Sequence, residues 1–416
     1  MIFFILLLLF SLIPSIWNLL QAYYYKVGIR EIVEESDGKE RFYSIIVAIR
    51  NESVETIRGL VENLSSLDYE NYEVIIVSDD DEEKFKRIVE EVKFPPNFKV
   101  IRREKPEGGK AGALNLGCNL AKGDYLVFLD ADGRVDKNFL RKLNEKEFDA
   151  AAFRISIYND ETTVQKYYKE FTEKVMVSLF KGRYLLGLPI FPNGSAFAIK
   201  RKVLFMVGLW KEGVITEDLE LGIRLFLHGV KVKYFHDIVV YSMAPFTLYD
   251  LYKQIERWSY GSAQLLLFSL KMIKRGIKGL EGFLYAQQWG IYPLYVLTIL
   301  VFDGLEFLLR INQLLLLLPL FIYGISVGIY ALSLGQKEGD IKVVFTVVNA
   351  SVSGYLKGVL KIPYKWRVTP KEKGEEKRTL NLLSLPFLFL ALVNALAFYW
   401  IASLILLGFG LIELLV

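Results

Sequence analysis

With 416 residues, 53% of them hydrophobic and 24% charged, the chain has material for two or three domains and the composition of a soluble body joined to membrane spans. The formal net charge is only +4, so the distribution of charge carries more information than its total. A single cysteine, Cys118, excludes an intrachain disulfide, and with only two histidines a His/Cys zinc site is excluded as well.

Residues 1–25 form an uncharged apolar run that ends at Lys26. It exceeds the roughly 20 residues a spanning helix needs. No basic residue precedes it and no small-residue cleavage site follows, so it reads as a retained anchor rather than a signal peptide. From residue 42 onward, short β-rich runs alternate with helical patterns. The run 42–49 (FYSIIVAI) is continuously apolar, as expected of a strand buried on both faces. Helical spacing over 53–64 puts Val54, Ile57, Leu60, Val61 and Leu64 on one side. The strands 72–78, 98–103 and 124–130 follow, with helices over 82–92 and 110–121 between them. This alternation predicts an α/β domain with a mostly parallel, doubly wound sheet, whose ligands bind beyond the carboxyl ends of the strands.

Candidate chemistry falls at those ends. Asp79-Asp80-Asp81 follows the second strand and reads either as an acidic turn opening a helix or as a carboxylate that accepts from the N3–H of a uracil. Gly108-Gly109-Lys110 opens a helix without the spacing of a Walker loop, yet glycines and a lysine at a helix start favour an anion. Asp130-Ala131-Asp132 ends a buried strand. Two carboxylates there can reach one hard cation, Mg2+ or Mn2+, whose shell a diphosphate completes. Thr216-Glu217-Asp218 reads either as a helix cap with acids in the first turn or as a general base at Asp218. Gln254 and Trp258 share a helix face, with Arg257 beside them; an indole can stack on a sugar and a guanidinium can grip a diphosphate. His228, before Gly229, reads as a helix end, and Cys118 as a small buried residue. No basic stripe interleaved with aromatics supports nucleic-acid binding.

Beyond this region the apolar runs 282–302, 311–336 and 379–412 are long enough to span. The last reads as one tilted helix of about 50 Å, with Asn394 the only plausible break into a hairpin. The stretches 264–278 and 343–356 pair apolar residues with flanking cations and read as helices lying on an anionic leaflet, or packed on the soluble domain. Segment 337–378 carries Lys357, Lys361, Lys365, Arg367, Lys371, Lys373, Lys377 and Arg378. Placing it in the cytoplasm puts the large domain there too.

In this order, SDDD, GGKAGALN, DAD, TED and QIERW, followed directly by apolar spans, resemble the family 2 glycosyltransferases of GT-A fold, in particular the membrane-integrated branch of cellulose, chitin and hyaluronan synthases. The likeness covers about 42–258, and the basic KWRVTPK stretch from Lys365 is similar to the segment before the last membrane element of such enzymes. The resemblance implies that Asp79 binds the donor's base, with Asn51 and Glu52 in the nucleotide loop, and that Lys110 sits near the nucleotide. It implies Asp130 and Asp132 on the metal–diphosphate, Asp218 as the base with Glu217 beside it, and Asn193-Gly194-Ser195 on the acceptor side. Gln254, Arg257 and Trp258 would hold diphosphate and acceptor. Two positions depart from the pattern: Ala48 stands where a proline is common, and Asp80-Asp81 replace a small-residue turn, leaving open whether Asp79 or Asp80 meets the base. The organisation expected is a spanning helix (1–25), a cytoplasmic GT-A domain (41–260), an amphipathic interfacial helix (261–281), two spans (282–336), a basic segment with an interfacial helix (337–378) and a C-terminal membrane segment (379–416). The function expected is inverting transfer from a UDP-sugar, extending a β-linked polysaccharide or, alternatively, glycosylating a membrane lipid or polyprenyl carrier.

Overall fold

The computed structural model describes residues 2–31, 40–309, 314–335, 340–364, 370, 384–396 and 399–415. Strands β1 (Tyr43–Ile49), β2 (Tyr72–Ser78), β3 (Phe98–Arg102) and β4 (Tyr125–Leu129) alternate with α2 (Val54–Ser65), α3 (Glu82–Glu91) and α4 (Gly109–Leu120), after a long N-terminal helix α1 (Ile2–Gly28). Ser53 caps α2 and Asp81 caps α3 by accepting from backbone N–H groups three residues on. A second half adds β5 (Arg134–Val135), α5 (Phe139–Asn144), β6 (Ala150–Ile157), α6 (Thr163–Val175), a π-helical turn (Met176–Gly182), α7 (Arg183–Leu185), β7 (Ala196–Lys200), α8 (Arg201–Val207), α9 (Glu217–Leu227) and β8 (Val232–Ser242).

The sheet has eight strands in the order β3-β2-β1-β4-β7-β6-β8-β5. Its first four strands are parallel, with Ile45 level with Val74 on one side and Val127 on the other. Beyond β4 the expectation of a mostly parallel sheet fails. Strand β7 runs antiparallel to both β4 and β6, and β5 antiparallel to β8, so the sheet is mixed. An apolar run such as Ala196–Lys200 reads the same in either direction; the connection that feeds it fixes its sense. Side chains alternate across the sheet. Ile46, Ile75, Val77, Leu126 and Phe128 join one core with α4 and α9, while Ile45, Val47, Val74, Ile76 and Val127 join the other with α2 and α5.

The C-terminal third is helical: α10 (Leu248–Gln264), α11 (Leu266–Ser269), a 3-10 turn (Leu270–Arg275), α12 (Ile277–Ala286), α13 (Gln288–Leu309), α14 (Leu314–Leu334), α15 (Ile341–Val359), α16 (Ser384–Leu396) and α17 (Trp400–Leu415). Among the described residues, the window Gln288–Leu305 is long and apolar enough to cross a membrane. One expectation changes here and two alternatives are decided. Segment 264–278 is not one helix, because Gly276 adopts φ 75° and divides it. Segment 343–356 lies within α15, which docks on α10 so closely that a Cβ at Gly354 would sit 2.2 Å from the Glu256 carbonyl oxygen. Its outer residues Ile341, Val344 and Leu356 stay exposed. The run 379–412 is not one helix either. Beyond Asn394 the chain folds back, Tyr399 N–H donating to the Asn394 carbonyl and Ser403 Oγ to that of Ala391, with Phe387 and Phe409 stacked between the arms. Of the basic segment, Lys365, Arg367, Lys371, Lys373, Lys377 and Arg378 lie outside the described residues.

Candidate active site

The carboxyl ends of β1, β2 and β4 lie side by side where the parallel strand order reverses, the position at which such sheets bind ligands. Each aspartate after β2 has its own partners. Asp80 Oδ1 accepts the Asn51 N–H at 2.6 Å and Oδ2 the Ser78 hydroxyl at 2.8 Å. This holds Asn51 at φ 60°, a left-handed conformation that asparagine tolerates better than most residues. Glu52, next in the turn, is buried. Asp79 receives both arms of Arg103, each at 2.6 Å. Arg103 also donates to the carbonyls of Glu107 and Gly109, tying Asp79 to the glycine loop. Asp80 therefore orders the Asn51 turn, with Lys84 3.8 Å away, whereas Asp79 is held by a bidentate arginine.

Gly108 and Gly109 both take positive φ, 70° and 57°, which lets the chain enter α4 directly after β3. Lys110 in the first turn reaches across the strand ends: its Nζ donates to Asp130 at 2.9 Å and stands 3.4 Å from Glu217. Burial works against its charge, but Asp130, Glu217 and Asp218 outweigh it and raise its pKa. Asp132 is almost fully buried, one oxygen accepting from the Ser242 hydroxyl (3.1 Å) and the Met243 N–H (3.2 Å) at the end of β8. The Asp130 side chain keeps 37% of its surface. Among the described residues no group of three or more His, Cys, Asp or Glu side chains is placed to hold an ion. Two aspartates are hard oxygen donors, and a cation here would need phosphate oxygens to complete its shell.

Asp218 sits in the first turn of α9. Its Oδ2 accepts the Gly194 N–H at 3.0 Å and its Oδ1 the Leu219 N–H at 2.8 Å. Burial, then repulsion from Glu217, push its pKa up to about 6, against Lys110 and the two N–H donors. That is the range in which a carboxylate serves as a general base near neutrality. Thr216 caps this helix by position, yet its hydroxyl makes no hydrogen bond. It is pressed against α10, where a Cβ at Gly261 would come within 2.3 Å of it. That contact sets α10 beside the first turn of α9. Gln254 on α10 meets the Tyr168 hydroxyl, and Tyr168 feels the charges of Arg257 and Asp132. Gln254 Oε1 and Asn193 Oδ1 are buried acceptors without a partner. Ser195 is half-buried beside Gly194. Trp258 lies against Trp289, ring centroids 5.8 Å apart and tilted 41°. Glu256 turns to the other side, held by Lys357, Lys253 and Ser353, which lower its pKa against its burial.

Lys110, Asp130, Glu217, Asp218 and Gly194 thus form one linked cluster, with Asp132, Tyr168, Gln254 and Arg257 adjoining. Asn51, Glu52, Asp79 and Asp80 form a second group around the ends of β1 and β2. Trp258 is packed within an apolar cluster with Val164 and Trp289. Arg103, Tyr168 and Ser242 went unnoticed in the sequence. Arg103 carries a signal, as a cation immediately past a strand; Tyr168 and Ser242 carry none.

Residues 44–206 match the family model described as glycosyl transferase family 2. The chain is also 34% identical over 411 residues to a probable glycosyltransferase of Sulfolobus acidocaldarius, covering 90% of this chain and 87% of that one. The chain belongs to the family 2 glycosyltransferases. A poly-beta-1,6-N-acetyl-D-glucosamine synthase of Staphylococcus aureus is 29% identical over 251 residues, 58% of this chain and 60% of that protein. Among solved structures, a mannosyltransferase from Pyrobaculum calidifontis, in complex with GDP-Man and Mn2+, superposes with a TM-score of 0.58 at 18% identity, covering 86% of this chain and 99% of that one. This last likeness identifies the GT-A fold of the family 2 enzyme. Its curled mixed sheet corrects the parallel one expected from strand–helix alternation.

Proposed function

We propose that this glycosyltransferase is membrane-embedded and inverting, that it takes its sugar from a UDP-sugar, and that it extends a β-linked polysaccharide on the cytoplasmic side. The observation that carries the catalytic part is the Asp218 carboxylate, half-buried, oriented by two backbone N–H groups and raised to about 6. In the ionised form it removes the proton of the acceptor hydroxyl. That oxygen attacks the anomeric carbon as the bond to the diphosphate breaks, inverting the centre. Arg257 and Lys110 stabilise charge on the leaving diphosphate. Asp130 and Asp132 would hold Mg2+ or Mn2+ there, which would neutralise the departing phosphates. Asp79, braced by Arg103, would accept from the base, and Asn51 and Glu52 would line the nucleoside. The unpartnered acceptors Asn193 Oδ1 and Gln254 Oε1 suit sugar hydroxyls, because buried polar atoms are rarely left unbonded. Ser195 and Trp258 would complete the acceptor side.

The name of the staphylococcal relative supports a polysaccharide product. A second acceptor, a membrane lipid or polyprenyl carrier, is favoured by a different observation: Leu267, Ile277 and Leu280 are exposed on the segments beside the acceptor side, among Lys271, Lys274 and Lys278. The apolar length of Gln288–Leu305 and the cations of 337–378 support a membrane setting with the catalytic domain inside.

Purified protein in nanodiscs, given UDP- and GDP-sugars with Mn2+ or Mg2+ and then with chelator, tests all of this. Metal-dependent nucleotide release with a large, glycosidase-sensitive product is expected. An organic-extractable product would replace polysaccharide by lipid. Release undiminished in Asp218→Asn would remove Asp218 from the mechanism.

A further inference from the structure

Behind the acceptor-side loop lies a buried polar cluster that the transfer chemistry does not use. Arg183 opens α7 directly after the π-helical turn and is fully buried. Its guanidinium grips Glu281 of α12 with both arms, one at 2.8 Å, and donates to the Pro189 carbonyl at 2.8 and 3.2 Å. It also lies 3.8 Å over the ring of Tyr285. Tyr285 in turn stacks flat on Phe191, centroids 4.8 Å apart and planes 7° apart. Three residues after Phe191 comes Gly194, whose N–H holds Asp218. An unbroken line of contacts therefore runs from Arg183 to the carboxylate.

The N-terminal helix is built into the same cluster. The Tyr24 hydroxyl donates to Glu281 at 3.0 Å. The helix crosses the π-helical turn at a pair of glycines: a Cβ at Gly182 would meet the Tyr24 carbonyl oxygen at 2.0 Å, and one at Gly28 the Val177 carbonyl oxygen at 2.2 Å. A Cβ at Gly282 would come 2.5 Å from Met272 Cε and 3.1 Å from Pro189 Cγ. A buried ion pair seldom adds stability over well-packed apolar residues of similar volume. What this one does provide is direction. It fixes one loop carbonyl and one ring face, and through them the loop.

We propose that Arg183, Glu281 and Tyr285 are positioning residues that hold the loop 189–194 so that the Gly194 N–H stays on Asp218, making α1 and α12 part of the frame of the base. This rests on the reading of Asp218 as that base. The charged and titratable groups facing Asp218 are Lys110 of α4, Glu217 of α9 and Tyr285 of α12. Losing the Gly194 donor removes one influence that favours the ionised form.

The test uses the full chain in nanodiscs, with Tyr285→Leu, the control Tyr285→Phe and the apolar double variant Arg183→Met/Glu281→Leu, which leaves no unpaired buried charge. Amide hydrogen exchange over 188–195 and the pH dependence of kcat are read together. For Tyr285→Leu and the double variant we expect faster exchange at Gly194, kcat lower by ~10-fold or more as for a displaced catalytic group, donor KM within about twofold, and an acid limb moved to higher pH. Tyr285→Phe should match wild type in all four. Wild-type exchange at Gly194 and an unmoved acid limb in either folded variant would overturn the proposal. The exchange arm needs no donor, so it stands even if the transfer reading fails; full turnover by Asp218→Asn would instead sink the base and leave the loop result intact.

Discussion

Replacing Lys110 by methionine keeps an unbranched side chain of nearly the same length and removes the cation that the described residues place among Asp130, Glu217 and Asp218. Its Nζ lies 2.9 Å from Asp130 and 3.4 Å from Glu217, and it lowers the pKa of Asp218 against burial. A neighbouring opposite charge typically moves a carboxyl by ~1–3 units. Taking the low end, Asp218 rises from about 6 to ~7. The active form of a base is the ionised one, so the loss grows as pH falls. With these values the ionised fraction drops about fivefold at pH 6, about twofold at pH 7 and hardly at pH 8.5. Initial rates of nucleotide release at saturating donor, from pH 5.5 to 8.5, read this directly. Lys110 also faces the diphosphate in the proposed mechanism, which would lower the rate by a constant factor at every pH. Parallel curves with one acid limb would therefore refute the coupling and leave only the diphosphate role.

Asp218→Asn should lose transfer and gain stability. Its folded pKa of about 6 lies about two units above the ordinary value, a cost of ~3 kcal/mol at pH 7, offset by ~1 kcal/mol because the amide cannot accept from both N–H groups. That cost is fully present above the folded pKa and vanishes as pH falls toward 4, so the rise in Tm should be seen at pH 7 and not at pH 4. Asp80→Ala leaves the Asn51 N–H without its acceptor, costing ~1–3 kcal/mol and raising donor KM. Asp81→Ala removes only the cap of α3, ~1 kcal/mol, with kinetics unchanged; the two are separated by denaturation and steady-state rates on the same preparations. Gly354→Ala should destabilise by ~1–3 kcal/mol through the Glu256 carbonyl contact, seen as a lower Tm, whereas Gly324→Ala, with open space around its Cβ, should leave Tm unchanged.

Periodicity and composition carried the first half of the domain to within a residue or two. The runs FYSIIVAI and YEVIIVS are buried on both faces in the folded chain, and helical spacing gave the buried side of α2 residue for residue. These are local signals, set by what one segment can bury. The motif residues Asp130, Asp132, Asp218 and Gln254, far apart in the sequence, adjoin one another through Lys110 and Tyr168 in the folded chain. His228 does close α9, its ring nitrogen 2.8 Å from the Arg224 carbonyl oxygen, and Cys118 is buried.

What the local signals could not carry was direction and partnership. The antiparallel sense of β7 depends on how a distant connection enters the sheet. The fold-back beyond Asn394 depends on α16 and α17 finding each other, as Phe387 and Phe409 do; without a partner the same apolar run would satisfy its backbone as one helix. Three consecutive aspartates look alike in the sequence, yet Asp79 meets Arg103, Asp80 the Asn51 N–H and Asp81 the start of α3. Arg183 and Glu281 are 98 positions apart and carry no mark that they will meet. The sequence by itself determined the strands and helices of the first half of the domain and the ordered motifs of a glycosyltransferase, because burial and charge are written position by position. Only the tertiary structure decided which carboxylate orders the backbone, which is gripped by an arginine and which has its pKa raised to about 6, because those environments depend on neighbours that the fold brings from elsewhere in the chain.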